Sequence, residues 1–284
     1  MSEPRLAAVI GSPVAHSLSP AIHSAWATDK GVDYRYDQHD PGVADGGFER
    51  LIERLRQAGY AGVNVTIPFK ERALALAGVA SQTAASIGAA NMLTFADDDI
   101  HADNSDAVGF AESCRAAGLA IAPRRALVLG AGGAARAIVF ALKHMLNVKD
   151  VVVVNRTTAR AEELAMAFDV DVAPWAARHA EASTSGLIVN TTSIGMKSAI
   201  TPFTDEPFIR FDGVEAAAVD IVYSPLETPF LAAARAHGLI GVDGLEMLIR
   251  QAAPGFERWS GAKDPDIALA RRICEESLAG KGRQ

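Results

Sequence analysis

The sequence predicts an α/β fold of two domains, and three observations carry that reading. Short β-branched or apolar runs alternate along the chain with stretches of helical period. Several of the runs are apolar at every position, as strands covered by helices on both faces are. Near the middle, Gly130 to Ala135 forms a glycine-rich turn of the kind that leaves a buried strand and opens a helix.

Taken in order, the early runs are Leu6 to Gly11, Tyr34 to His39, Gly62 to Thr66 and Met92 to Phe95. The later and more uniformly apolar ones are Ala126 to Gly130, Val151 to Asn155, Leu187 to Asn190 and Ala216 to Tyr223. Alanine-rich segments such as Ala134 to Leu146 and Thr158 to Phe168 read as helices between strands, which makes the repeating unit βαβ and the later sheet parallel. From Gly244 the chain reads as two helices without a strand. Helices with no sheet of their own must pack on one already built, so the expected division is residues 1–105 plus 244–284 against residues 106–243.

Composition excludes several classes of function. The 284 residues are 49% hydrophobic and 21% charged, which suits globular domains and not a disordered chain. With 27 Lys and Arg against 34 Asp and Glu the net charge is −7, and no dense basic block appears. Duplex nucleic acid is bound through such a block, so a nucleic-acid partner is not expected. The N-terminal MSEPRLAAVIGSP has too short an apolar run for an export signal or a membrane span, and a soluble cytoplasmic protein with no membrane partner is expected. Cys114 and Cys274 are read as reduced thiols, and the seven histidines show no ligand spacing, so no metal is expected.

The strongest motif is Ala126-Leu127-Val128-Leu129-Gly130-Ala131-Gly132-Gly133-Ala134-Ala135-Arg136, a strand, then G-x-G-x-x-A, then a helix. Gly130 permits the tight turn, Gly132 lets backbone approach a pyrophosphate, and small Ala135 lets helix and strand pack closely. The phosphates would sit on the N–H groups of the helix start. The next strand ends Val154-Asn155-Arg156-Thr157, where an NAD enzyme presents a carboxylate to the ribose 2′-hydroxyl. Here Arg156 stands there instead, with Thr157 beside it and Arg160 a turn later. A guanidinium suits a 2′-phosphate, so the expected cofactor is NADP.

The N-terminal part carries its own polar clusters. Ser17 and Ser19 precede a helix with Pro20 in its first turn, which makes Ser19 an expected N-cap and offers a cradle for a small carboxylate. Lys70 follows Asn64 and Thr66 at a proline-stopped strand end, and such ends face the ligand crevice of open α/β sheets. Asn91 begins a strand, and Asp103-Asn104-Ser105-Asp106 closes another before a helix near Ala107. Spacing alone does not bring Lys70 and Asp106 together.

Together these residues resemble the shikimate dehydrogenase family over nearly the whole chain. The matching segments are His16-Ser17-Leu18-Ser19-Pro20-Ala21-Ile22-His23, Asn64 to Lys70 as N-V-T-x-P-x-K, and the cofactor motifs. They continue with Asn190-Thr191-Thr192-Ser193-Ile194-Gly195-Met196, Asp220-Ile221-Val222-Tyr223, and Gly241 to Gly244 with Gln251. The resemblance implies an N-terminal α/β substrate domain, a Rossmann-like NADP domain and an active site in the cleft between them. It implies reversible hydride transfer between NADPH and 3-dehydroshikimate, giving shikimate, in a monomer or homodimer. Ser17 and Ser19 would hold the substrate carboxylate. Asn64, Thr66, Asn91, Asp106, Gln251 and Tyr223 would bind the rest of the substrate, with Lys70 and Asp106 as the catalytic pair. Gly130, Ala131, Gly132, Gly133, Ala134, Asn155, Arg156, Thr157 and Arg160 would hold the nucleotide. Asn190, Thr191, Thr192, Ser193, Gly244 and Met247 would lie near the nicotinamide or its ribose.

The chain departs from the family pattern at Ser24, Met92, Ser105 and Ala107. Met92 replaces a hydroxyl with a thioether beside Asn91, which bears on packing under the substrate. Rivals within the class are quinate/shikimate and aminoshikimate dehydrogenases. Glutamyl-tRNA reductase, with a similar nucleotide domain, needs an N-terminal nucleophilic cysteine, and residues 1 to 113 contain none. A binding-only NADP sensor has no use for both Lys70 and Asp106.

Overall fold

The structure is a computed structural model that describes residues 3–96, 99–119, 125–196, 200–203 and 216–281. It divides into two compact units, Met1–Asp106 with Ile249–Gln284, and Ala107–Leu248.

The first unit runs β1 (Arg5–Ile10), α1 (Ser19–Lys30), β2 (Tyr34–His39), α2 (Gly47–Gln57), β3 (Tyr60–Val65), α3 (Lys70–Leu76), β4 (Val79–Ala80), α4 (Gln82–Ile87), β5 (Met92–Ala96) and β6 (Asp99–Asp103). Its six-stranded sheet has the order β2-β1-β3-β5-β6-β4. β1 is parallel to β2 and β3, whereas β5 is antiparallel to both β3 and β6. Two antiparallel steps restore direction, so the C-terminal ends of β1, β3 and β6 share one edge with the start of β5. The sheet is covered because its helices are amphipathic. α2 buries Phe48, Leu51, Ile52 and Leu55, a three-four spacing that puts them on one face.

The second unit continues from α5 (Asp106–Ala116) through β7 (Ala126–Leu129), α6 (Gly133–Phe140), β8 (Val151–Asn155), α7 (Thr158–Phe168), β9 (Asp171–Pro174), α8 (Arg178–Ser183), β10 (Leu187–Asn190), β11 (Ala217–Asp220), α9 (Pro229–Ala236) and β12 (Ile240–Val242). All its pairings are parallel, in the order β12-β11-β10-β7-β8-β9. Every residue of β7, β10 and β11 is buried, as their apolar runs require, and the buried set includes the polar strand ends Asn190 and Asp220. The winding reverses between β7 and β10, the place where open α/β sheets bind ligands.

α10 (Gly244–Ser260) and α11 (Ile267–Lys281) close the chain. On the first sheet, Trp259 approaches so closely that a Cβ on Gly62 would lie 2.2 Å from its Nε1, which donates to Thr94 Oγ1 at 3.1 Å. The Trp26 indole of α1 donates to the Asp266 carbonyl at 2.7 Å, just ahead of α11.

Two elements differ from the sequence reading. The helix expected to reach Leu146 is α-helical only to Phe140 and widens to a π-turn at Ala141–Met145, which composition cannot signal. The strand expected over Ala216 to Tyr223 pairs only at Ala217–Asp220, because its apolar run outlasts its neighbours. The short β4, β9 and β12 give too few residues for a period to show.

Candidate active site

In the first sheet Asn64 lies opposite Met92, and Met92 opposite Asp103. The ladder runs one step further: Val65 N–H donates to the Asn91 carbonyl at 2.8 Å, and Asn91 N–H to the Asp103 carbonyl at 3.1 Å. Asn91 is thereby held between β3 and β6, and the chain leaving β6 presents Asn104, Ser105 and Asp106 beside it.

Lys70 reaches the same place by a short detour. After β3, Phe69 N–H donates back to the Thr66 carbonyl at 3.0 Å, and its buried ring stacks on Phe48 with centroids 4.8 Å apart. That anchor sets Lys70 as the first residue of α3. Its Nζ lies 2.6 Å from Asp106 Oδ2, with side-chain exposures of 12% and 6%. An ion pair this enclosed needs its remaining lone pairs satisfied, and Asn91 Nδ2 lies 3.0 Å from Asp106 Oδ1.

Asn91 and Ser105 complete the network. Ser105 Oγ donates to the Gln251 carbonyl at 2.7 Å, so it is free to accept from Asn91 Nδ2 at 3.0 Å. Asn91 Nδ2 also lies 3.0 Å from Gln251 Oε1, while Asn91 Oδ1 accepts from Ser105 N–H at 2.8 Å. Asp106 is the first residue of α5, and its N–H donates to Asn104 Oδ1 at 3.0 Å. Its carboxylate is thus not spent on capping. It faces the Asn91 amide and the Lys70 ammonium, and the ammonium keeps further N–H groups that can point at a ligand.

Asn64, buried on β3, donates to the Asn91 carbonyl at 3.3 Å and accepts from Tyr36 Oη at 2.7 Å. His23 stacks on Tyr36 at 3.7 Å and accepts or donates through Nδ1 to Tyr34 Oη at 2.9 Å. Burial lowers its pKa to about 3, and among the described residues its Nε2 has no partner. The loop after β1 lies along Thr66: a Cβ on Gly11 would be 2.3 Å from Thr66 Cγ2, and Ser12 N–H donates to the Ile67 carbonyl at 3.0 Å. Ser17 and Ser19 follow in this segment. Here the expected N-cap is corrected. Ser19 is the buried first residue of α1, and its own N–H donates to Ser17 Oγ at 3.2 Å. The helix starts one residue earlier than expected, Leu18 is the capping residue and makes no side-chain cap bond, and the Ser17 hydroxyl takes the first helical N–H.

The second unit collects the other residues. Gly130 has φ +110°, a conformation open to glycine, and a Cβ there would lie 2.5 Å from Thr191 Oγ1. Gly132 precedes α6, and among the described residues nothing lies within 4 Å of its Cβ position. Ala131, Gly133 and Ala134 complete a turn whose open side and free helix N–H groups fit a pyrophosphate. Asn155 Nδ2 is turned onto the Thr157 carbonyl at 2.9 Å, and Arg156, Thr157 and Arg160 are exposed around the start of α7. Asn190, Thr191, Thr192 and the exposed Ser193 leave β10 across from Gly130. Gly244 starts α10 where a Cβ would meet the Ile221 carbonyl at 2.4 Å, Met247 is buried, and Tyr223 is half-buried beyond β11.

Sequence reasoning gave no role to Ser105, Tyr36, Asp220 or Thr228. Ser105 stood only as a departure, although a hydroxyl beside a carboxylate at a strand end is a usable signal. Asp220 lay inside a motif, and its burial has no sequence signature. Among the described residues no helix is long and apolar enough to cross a membrane, and no group of His, Cys, Asp or Glu could hold a metal ion.

Three family models match the chain: the shikimate dehydrogenase substrate binding domain at residues 9–93, shikimate/quinate 5-dehydrogenase at 114–199, and the shikimate 5′-dehydrogenase C-terminal domain at 244–275. The shikimate dehydrogenase (NADP(+)) of Acidiphilium cryptum is 44% identical over 275 residues, 96% of this chain and 97% of that one. The shikimate 5-dehydrogenase of Thermus thermophilus, solved with NADP(H) and shikimate, is 37% identical with a TM-score of 0.82 and covers 96% of this chain and 100% of its own. The quinate dehydrogenase of Corynebacterium glutamicum, solved with NAD, is 27% identical with a TM-score of 0.87, over 97% of this chain and 100% of its own.

Proposed function

This chain belongs to the shikimate dehydrogenase family, and from that premise we propose that it is an NADP-dependent oxidoreductase interconverting 3-dehydroshikimate and shikimate. The observation that carries the catalytic reading is the enclosed Lys70–Asp106 pair, 2.6 Å apart and braced by Asn91. In this reading the first unit holds the substrate and the second the cofactor.

When bound, the nicotinamide supplies or accepts the hydride. The residues of the chain handle the proton and the charge. Hydride arriving at the ring ketone carbon leaves negative charge on its oxygen. The Lys70 ammonium is aimed to stabilise that charge and hand over a proton, and in the reverse direction the pair takes the proton back. Asp106 orients the ammonium by accepting one of its N–H groups, and Asn91 holds Asp106 still. Asn64 and Thr66, Asn91 and Gln251 are assigned to ring hydroxyls, and Ser17 and Ser19 to the carboxylate. Because the Tyr36 hydroxyl occupies Asn64 Oδ1, Asn64 turns its amide N–H groups toward acceptors. Tyr223 is assigned to the substrate from the second unit.

NADP preference is assigned to Arg156 and Arg160, supported by Thr157, with Asn155 shaping the loop. The exposed guanidiniums, with no carboxylate at the end of β8, favour a 2′-phosphate. Asn190 to Ser193, Gly244 and Met247 are assigned to the nicotinamide side. We assign the protein to the cytoplasm, as a monomer or homodimer. The buried free thiols Cys114 and Cys274, pushed up to about 12 and about 11 by burial, suit a reducing compartment.

The test is an assay of NADPH consumption with 3-dehydroshikimate, beside reduction of NADP and of NAD with shikimate and with quinate. Turnover of shikimate with NADP well above the other combinations is expected, and Arg156→Ala should reduce the preference for NADP at least about tenfold. Equal turnover of quinate moves the reading to a quinate/shikimate enzyme, and no turnover of either acid overturns it.

A further inference from the structure

Asp220 ends β11 with no exposed surface, and three donors converge on its carboxylate. Oδ1 accepts from Val222 N–H at 3.0 Å and from Asn190 Nδ2 at 3.0 Å. Oδ2 accepts from the Thr228 hydroxyl at 2.7 Å, and that hydroxyl in turn accepts from Leu231 N–H at 3.2 Å, capping α9. An ionised carboxylate is an acceptor only, so it dictates which end of the Asn190 amide faces it. With Nδ2 donating to Asp220 and, at 3.3 Å, to the Ile194 carbonyl, Asn190 Oδ1 is left to accept from Thr192 N–H at 3.1 Å and Thr192 Oγ1 at 2.7 Å. The Thr192 hydroxyl, its proton committed, accepts from Ile194 N–H at 3.2 Å. The carboxylate, the shorter of the two contacts on Nδ2, sets the polarity that the rest of the chain of bonds follows. A flipped amide would set two oxygens against each other at Asp220 and two N–H groups against each other at Thr192.

The turn so fixed is the one that lies against the glycine motif. A Cβ on Gly130 would be 2.5 Å from Thr191 Oγ1 and 3.2 Å from Thr192 Cγ2, and Thr191 Oγ1 donates to the Leu129 carbonyl at 2.7 Å. We infer that Asp220 is a positioning residue for the cofactor: by setting the Asn190 amide it fixes the Thr191–Ile194 turn that walls the dinucleotide crevice beside Gly130. Burial also raises the Asp220 carboxyl to about 6, which marks the enclosure that makes its bonds count. The inference rests on the reading of this unit as a dinucleotide site.

The test uses the full chain and measures dissociation constants for NADP and NAD by calorimetry, without substrate, alongside the KM for shikimate at saturating cofactor. Asp220→Asn should weaken cofactor binding about tenfold, the factor given by about 1.4 kcal/mol for a misdirected buried hydrogen bond, and Thr192→Val should do much the same. The double variant should lose no more than the worse single one, and the KM for shikimate should stay within about twofold. Thr228→Val removes a different side-chain bond to Asp220 without touching Asn190, so it should lower the melting temperature but leave cofactor affinity within about twofold. Parent-like affinity in Asp220→Asn or in Thr192→Val overturns the inference, as do multiplied losses in the double variant. So does a Thr228→Val protein that loses cofactor as strongly as Asp220→Asn, because the carboxylate would then matter for stability alone. A parent that prefers NAD overturns the NADP reading and leaves Asp220 to be judged on NAD; a parent that binds neither ends both.

Discussion

At the scale of single residues, the enclosed ion pair makes the sharpest claim. Lys70→Ala should lower kcat by about 10² to 10⁴, the range for a positioned acid or base, with little change in KM. Asp106→Asn should affect both constants, since its carboxylate holds the lysine and is assigned to a ring hydroxyl. Steady-state kinetics of the double variant should show much less than the product of the single losses, because the two side chains meet at 2.6 Å and act as one. Near-normal kcat in Lys70→Ala would remove the lysine from the chemistry. The two serines separate in a way their sequence does not suggest. Both alanine variants should raise the KM for shikimate and leave NADP binding unchanged. Ser17→Ala should in addition cost about 1 kcal/mol of stability, read by chemical denaturation, since Ser17 supplies the hydroxyl at the start of α1 and Ser19 does not. Equal destabilisation by the two changes would argue against this division.

At the scale of elements, the site is a consequence of strand direction. Three successive strand ends deliver Asn64 with Lys70, Asn91 and Asp106 to one sheet edge because β5 runs against β3 and β6 runs against β5. The sequence showed each strand end and each polar cluster, but period and composition carry no information on strand direction, so the juxtaposition stayed out of reach. The cofactor unit was more legible. Uniformly apolar strands imply a parallel sheet covered on both sides, and a parallel sheet with a glycine turn after its first strand implies a crevice at that turn. What remained hidden there was the carboxylate under the crevice, since Asp220 looks in sequence like any strand-end aspartate. The π-turn after α6 and the two- to four-residue strands β4, β9 and β12 stayed hidden for a simpler reason, that so few residues show no period.

At the scale of the whole molecule, two buried groups, one in each unit, have ionisations that oppose folding between about pH 3 and 7, and they act in opposite directions of pH. His23 in the first unit is held neutral with its pKa near 3, so the unfolded chain takes up a proton below about 6.5 that the folded chain refuses. Its contribution is intact above pH 6.5 and is lost as pH falls toward 3, at up to about 1.4 kcal/mol per pH unit. Asp220 in the second unit is raised to about 6, so its contribution is intact below about pH 4 and is lost as pH rises through 6. Thermal melts of the parent and of His23→Phe, which keeps the ring and removes the titration, should diverge between pH 6.5 and 4, with the parent falling faster. Parallel curves would show that His23 titrates normally in the fold.

The amino-acid sequence by itself determined what depends on local pattern: the alternation of strands and helices, the glycine turn whose small residues admit a phosphate, the arginines that stand where a carboxylate would select NAD, and the motifs that mark the family. These are legible because each is written in consecutive or periodically spaced residues, and the physics that reads them is steric and short-ranged. Only the tertiary structure decided which polar groups meet. It joined Lys70 to Asp106 across 36 residues and Gln251 to Asn91 across 160, moved the helix cap from Ser19 to Leu18, and enclosed Asp220 among three donors. Those outcomes turn on burial and hydrogen-bond direction, and both are settled by strand order and packing, which bring together residues that no local spacing relates.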